Sequence, residues 1–172
     1  MTTNRELGFL WSLKQKCNVD KLPTLEAFDG YLKAILTCAN GDGNLTPAER
    51  EWVLGHGSAL GALDSLLDEL KTYKADEDIE KLLARSPQAD ASRRVLIYDA
   101  IRACSADGEY NDRERATVRK MGTKLGISED LIRQIEEIAL EEARLWERRV
   151  KLVYPAGTPP SLRADTSSSD PA

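Results

Sequence analysis

Residues 41–61 read GDGNLTPAEREWVLGHGSALG, and residues 106–126 read ADGEYNDRERATVRKMGTKLG. Laid over each other at an offset of 65, without a gap, they bring Asp42, Gly43, Glu49, Arg50, Val53, Gly57, Leu60 and Gly61 onto Asp107, Gly108, Glu114, Arg115, Val118, Gly122, Leu125 and Gly126. Eight identities in the twenty positions from 42 to 61 exceed what composition produces, so the chain carries an internal repeat.

Each copy follows an apolar segment of helical period. Ahead of the first, TLEAFDGYLKAILTCA (residues 24–39) sets Leu25, Phe28, Leu32, Ile35, Leu36 and Ala39 on one stripe, with Glu26, Asp29 and Lys33 on the far face. Ahead of the second, residues 95–104 do the same. The unit is therefore a helix, an Asp-Gly turn, a second helix and a Leu-Gly stop. Such units cannot close a core singly, so two of them pack about an approximate two-fold axis. That places the two Asp-Gly turns either in one neighbourhood or at opposite ends.

Helical stripes also cover residues 5–17, 60–73, 78–84, 115–125 and 129–153, and no stretch alternates with period two over a strand's length. The expected fold is all-α, a compact bundle of about seven helices from two helix-turn-helix repeats (about 25–61 and about 91–126) related by a pseudo-two-fold. One domain over residues 1–153 is expected. After it comes YPAGTPPSLRADTSSSDPA, poor in large apolar residues and rich in Pro and Ser, so residues 154–172 are expected to form a disordered tail.

A net charge of −5 gives no basic field for nucleic acid or anionic lipid. The three cysteines, Cys17, Cys38 and Cys104, are odd in number and irregular in spacing, and the first residues carry neither a basic leader nor a long apolar run. The expectation is a cytoplasmic protein with reduced thiols and no direct membrane insertion.

CANGDGNLTPAERE and CSADGEYNDRERATVRKMGTKLGIS resemble the two halves of the tellurite-resistance TerB-like domain, over roughly residues 25–142. Its signature is an Ala-Asp-Gly turn, an apolar residue two places on (here Leu45 and Tyr110) and a Glu six after the Gly (Glu49 and Glu114). The first copy departs from it with Asn40-Gly41, where a small apolar pair belongs, and Cys38 has no counterpart at Ala103. The resemblance implies a compact helical protein, a stress-response role and clustered acidic residues that take a divalent cation. Because related domains stand beside J-domains in membrane-anchored cochaperones, it also implies a protein partner, one that can be membrane-associated.

Two readings of the acidic residues compete. Residues 38–49, CANGDGNLTPAE, have the alternating oxygens, central Gly and closing Glu of an EF-hand loop, but Cys38 occupies its first position and Ala103 the first position of the second copy. If the halves face each other, Asp42, Glu49, Asp107 and Glu114 supply four carboxylates to one centre, a hard oxygen set suited to calcium, magnesium or manganese. Against both stands plain helix chemistry: Thr46-Pro47-Ala48-Glu49 and Asn111-Asp112-Arg113-Glu114 are capping boxes, and Asp before a turn Gly accepts backbone hydrogen bonds. The expected function is a non-enzymatic acidic binding module for a divalent cation and a protein partner. The alternatives are an EF-hand-like calcium buffer or sensor, and a hydrolase or lyase using the paired carboxylates, which needs an apolar pocket beside them. His56, the single histidine, is set aside as a structural or surface residue, since neither a His-based zinc site nor a Ser-His-Asp triad has parts. Cys38 and Cys104 are expected to pack as small buried groups, and Trp11, Trp52 and Trp146 to fill or rim the core.

Overall fold

The structure is a computed structural model that describes residues 3–163. Among these residues the regular structure is helical throughout. The α-helices are α1 (Asn4–Cys17), α2 (Leu25–Ala39), α3 (Pro47–Leu60), α4 (Asp64–Leu70), α5 (Ile79–Leu83), α6 (Pro87–Ala91), α7 (Arg93–Cys104), α8 (Asp112–Lys124) and α9 (Glu129–Val153). The short α6 has no apolar stripe long enough to announce it. It forms because the Ser86 side chain accepts from Gln88 N and Pro87 fills the first helical position, where its missing N–H costs nothing.

The repeat is visible in the packing. α2, a 3-10 turn (Asn40–Asp42) and α3 make the first copy; α7, a 3-10 turn (Ser105–Asp107) and α8 make the second. The copies cross reciprocally: α2 packs on α7, α2 on α8 and α3 on α7, the first 3-10 turn on α8 and the second on α3. This exchange is what a pseudo-two-fold produces. Matching glycines serve matching contacts, since Gly57 of α3 lies against Leu32 of α2, and Gly122 of α8 lies against Ile97 of α7 and Ile132.

α2 is the central element. Leu32, Ala34, Ile35 and Leu36 have no exposed surface. Its polar far face is covered in part: Glu26 stays exposed, but Lys33 is 7% exposed and pairs with Asp29 and with Glu69 of α4, each at 2.6 Å. Arg85 binds Asp29 at 2.7 Å and also Glu77, tying the segment around α5 to the same carboxylate. A charged face that looks solvated in sequence is thus a clamp between the repeat and the connecting helices.

The chain divides into two compact units inside α9, the first ending at Glu136 and the second beginning at Glu137. In the first, Ile132 is fully buried and Glu136 takes the guanidinium groups of Arg115 and Arg119. In the second, the rest of α9 exposes Leu145, Trp146, Leu152 and Val153. Beyond Tyr154 residues 155–163 hold turns, including a 3-10 turn at Pro160–Leu162. Residues 164–172, the rest of the expected disordered tail, lie outside the described residues. Of the tryptophans, Trp11 is 67% exposed and Trp146 56% exposed, so neither fills the core; Trp52 is half-buried.

A Cβ at Gly30 of α2 would stand 2.4 Å from the backbone oxygen of Leu82 in α5. Backbone cannot swing aside as a side chain does, so Gly30→Ala should cost about 1–3 kcal/mol by overpacking despite the higher helix propensity of Ala. Chemical denaturation checks this; an unchanged or raised midpoint would mean that α5 is not docked on α2.

Candidate acidic centre

Each acidic pair is placed by the same local chemistry. The apolar helix ends, the 3-10 turn follows, and the chain reverses at Gly43 (φ 83°) and Gly108 (φ 97°), left-handed conformations that favour glycine. Asp42 Oδ1 accepts from Asn44 N at 2.9 Å, and Asp107 Oδ1 accepts from Glu109 N at 3.1 Å. The next helices open with capping boxes. Thr46 Oγ1 accepts from Glu49 N at 3.2 Å while Glu49 Oε2 accepts from Thr46 N at 2.6 Å. Asn111 Oδ1 and Glu114 Oε2 repeat the exchange at 3.1 and 2.8 Å. The capping reading of Glu49 and Glu114 is therefore realised in full.

Beyond capping, the crossing of the copies sets the two turns in one neighbourhood. Glu49 is 1% and Glu114 6% exposed. Burial pushes the Glu49 carboxyl above its ordinary range, the Thr46 hydrogen bonds pull it partly back, and the charges of Glu114 and Asp107 push it up again. Burial likewise raises Glu114, partly offset by the Asn111 backbone, with Asp107, Asp42 and Glu109 adding repulsion. Glu49 thus feels two acids of the second copy, and Glu114 feels Asp42 of the first. Cys104 is raised by burial first and then by Glu49, Cys38, Glu114 and Asp42, and burial lifts Cys38 to about 12, so both thiols keep their protons and pack as small apolar groups. Tyr110 Oη is buried there with no hydrogen-bond partner among the described residues.

The side chains stop short of a formed metal cage. Among the described residues no group of three or more His, Cys, Asp or Glu is gathered closely enough to hold an ion, since each carboxylate turns one oxygen to its own backbone. The set fits a hard cation in chemistry and charge, and reaches coordination only if the second oxygens swing inward. The EF-hand arrangement fits less well. Cys38 is buried with its proton in place, and Asn40 Nδ2 donates to the carbonyls of Lys74 and Ala75 at 3.3 and 3.2 Å, away from the loop.

One grouping escaped sequence reasoning. His56 is neither on the surface nor idle: it is 6% exposed, its Nε2 lies 3.1 Å from Asp99 Oδ2, and its Nδ1 lies 3.2 Å from Lys16 Nζ. The available signal was Asp99 itself, a carboxylate interrupting the apolar run VLIYDAI of α7.

No protein-family model matches the chain, and no curated protein matches it. Among solved structures it is similar to a tellurite resistance protein from Nostoc punctiforme, at 39% identity and a TM-score of 0.87, over 92% of this chain and 99% of that one. No helix among the described residues is long and apolar enough to cross a membrane.

The raised carboxyls of Glu49 and Glu114 fix the sign of a pH effect. A group that holds its proton more firmly folded than unfolded contributes stability at acid pH, and loses it as pH rises from the unfolded toward the folded value. In a chelator, the double variant Glu49→Gln, Glu114→Gln keeps the capping geometry without the charge. Its Tm relative to the parent should rise between about pH 4 and about pH 7, where ordinary carboxyls complete their titration. Calorimetric scans across that range check it; a difference that shrinks with pH would show that the carboxylates stabilise the fold as charges.

Proposed function

This chain belongs to the TerB-like family of tellurite-resistance proteins, and from that membership we propose that it acts in stress resistance without catalysis, as an acidic binding module for one divalent cation and a protein partner. The observation that carries the reading is a pair of buried carboxyls, Glu49 and Glu114, raised first by burial and then by acids of the opposite copy, Glu114 and Asp107 acting on Glu49 and Asp42 on Glu114. Like charges from the two repeats face one another without closing on a common point, and a cation that draws their second oxygens inward relieves them. A carboxylate that caps through one oxygen retains its second oxygen and its charge. The Tyr110 hydroxyl, buried within the field of Glu114, is a neutral oxygen with no hydrogen-bond partner among the described residues. Oxygen-only ligation selects calcium, magnesium or manganese. The acidic balance of the chain favours a protein partner over nucleic acid.

Calorimetric titration of the metal-free protein with each of these ions tests the reading. One ion should bind per chain, and binding should vanish in the Glu49→Gln, Glu114→Gln double variant. Thr46→Ala should lower stability by about 1 kcal/mol through the lost cap while leaving ion affinity nearly intact. Neither heat nor a Tm rise with millimolar calcium, magnesium or manganese would sink the proposal.

A further inference from the structure

The repeat breaks its own symmetry at one place. At the 65-residue offset Trp52 and His56 of α3 correspond to Thr117 and Met121 of α8, and Ala106 in the second turn corresponds to Gly41 in the first. Where α8 meets the first turn the two are closed on each other: a Cβ on Gly41 would fall 2.0 Å from Thr117 Cγ2 and 3.7 Å from Met121 Cε. Where α3 meets the second turn, a cavity of about 490 Å³ opens instead, lined by Lys16, Glu51, Trp52, His56, Arg102 and Ala106.

That cavity carries charge which its counterpart lacks. Tyr31 Oη donates to Asp99 Oδ2 at 2.8 Å, and His56 Nε2 lies 3.1 Å from the same oxygen. A carboxylate only accepts and an ammonium only donates, so the imidazole hydrogen belongs on Nε2 and Nδ1 accepts from Lys16. Partial burial lowers the Lys16 ammonium although much of its side chain stays in water, and the charge of Asp99 partly restores it. The Arg102 guanidinium lies 5.7 Å from the ring centres of both Trp52 and Tyr98, and Trp52 stacks on His56 with centroids 4.7 Å apart. At the matching positions of the other copy, Asp99, Arg102 and His56 become Ala34, Thr37 and Met121. The fold therefore closes one crossing without these groups, and burying them at the other is a cost that packing does not require. His56 Nε2 also approaches Asp99 off the hydrogen-bond line, leaving a buried nitrogen with no hydrogen-bond partner among the described residues.

We infer that this cavity is a binding site for a small oxyanion, held by the Lys16 ammonium and the Arg102 guanidinium against the wall formed by Trp52 and His56. Asp99 is buried, accepts from Tyr31 on Oδ2 and does not line the cavity, so the charges that face a ligand there are those of Lys16 and Arg102. Glu51 lines the rim, but it is exposed and its field is screened by solvent. The guanidinium fork matches two oxygens of one ligand, and the ammonium adds a movable point charge. The site shares no side chain with the acidic centre and stands independently of it.

The test is an NMR titration of the full ¹⁵N-labelled chain with sodium phosphate, sulfate or tellurite, following the Trp52 indole N–H against sodium chloride at equal ionic strength. At least one oxyanion should give a saturable shift, and the shift should persist in the Glu49→Gln, Glu114→Gln variant. Lys16→Gln and Arg102→Gln should each weaken binding by about tenfold or more, as expected for loss of a charge-assisted hydrogen bond. Lys16 sits exposed at the end of α1, so its variant remains informative even if Arg102→Gln perturbs folding. Shifts that track chloride without saturating, or saturable binding that both substitutions leave unchanged, would overturn the inference.

Discussion

The structure depends on the crossed packing of two like units, in which each Asp-Gly turn docks on the second helix of the other unit. Neither copy could bury its apolar face alone, and α2, buried over most of its length from Ala27 to Ala39, shows how completely the arrangement removes that face from water. The crossing also concentrates charge. Because each turn brings an Asp and each following helix a Glu, closing the core forces four carboxylates into one neighbourhood. The acidic centre is a consequence of the fold before it is a feature of function.

An approximate symmetry axis makes departures from symmetry readable. Four carboxylates obey it, and their matched capping boxes give each Glu the same local task. The cavity beside His56 disobeys it, since Thr117 and Met121 close on Gly41 at one crossing while Trp52, His56 and Ala106 leave the other open. The symmetric residues serve the fold and the cation proposed here; the asymmetric ones are surplus to packing. That contrast separates two sites lying on either side of the first turn of α3, where Ala48 borders the cavity and Glu49 the acids.

The parts legible in sequence were those set by neighbours along the chain. Thr46, Pro47 and Glu49 announce a helix start because capping acts over three residues, and the 65-residue offset exposes the repeat because it keeps the same turn chemistry twice. Whether the turns meet or diverge was undetermined, since a repeat fixes the unit and not the way two units cross. The polar face of α2 was misleading for a related reason: Lys33 looks solvated until Glu69, far along the chain, covers it. His56 was invisible as a site because its partners Lys16 and Asp99 belong to other helices, and a lone histidine fits no spacing motif.

The claim that the two repeats share one cation is tested most directly by the anomalous difference density of crystals grown with manganese. The account predicts a single peak between Asp42, Glu49, Asp107 and Glu114, with the second oxygens of those carboxylates turned toward it. Two peaks, one inside each turn, would contradict it in favour of separate loops, and no peak would leave the carboxylates as caps and turns alone.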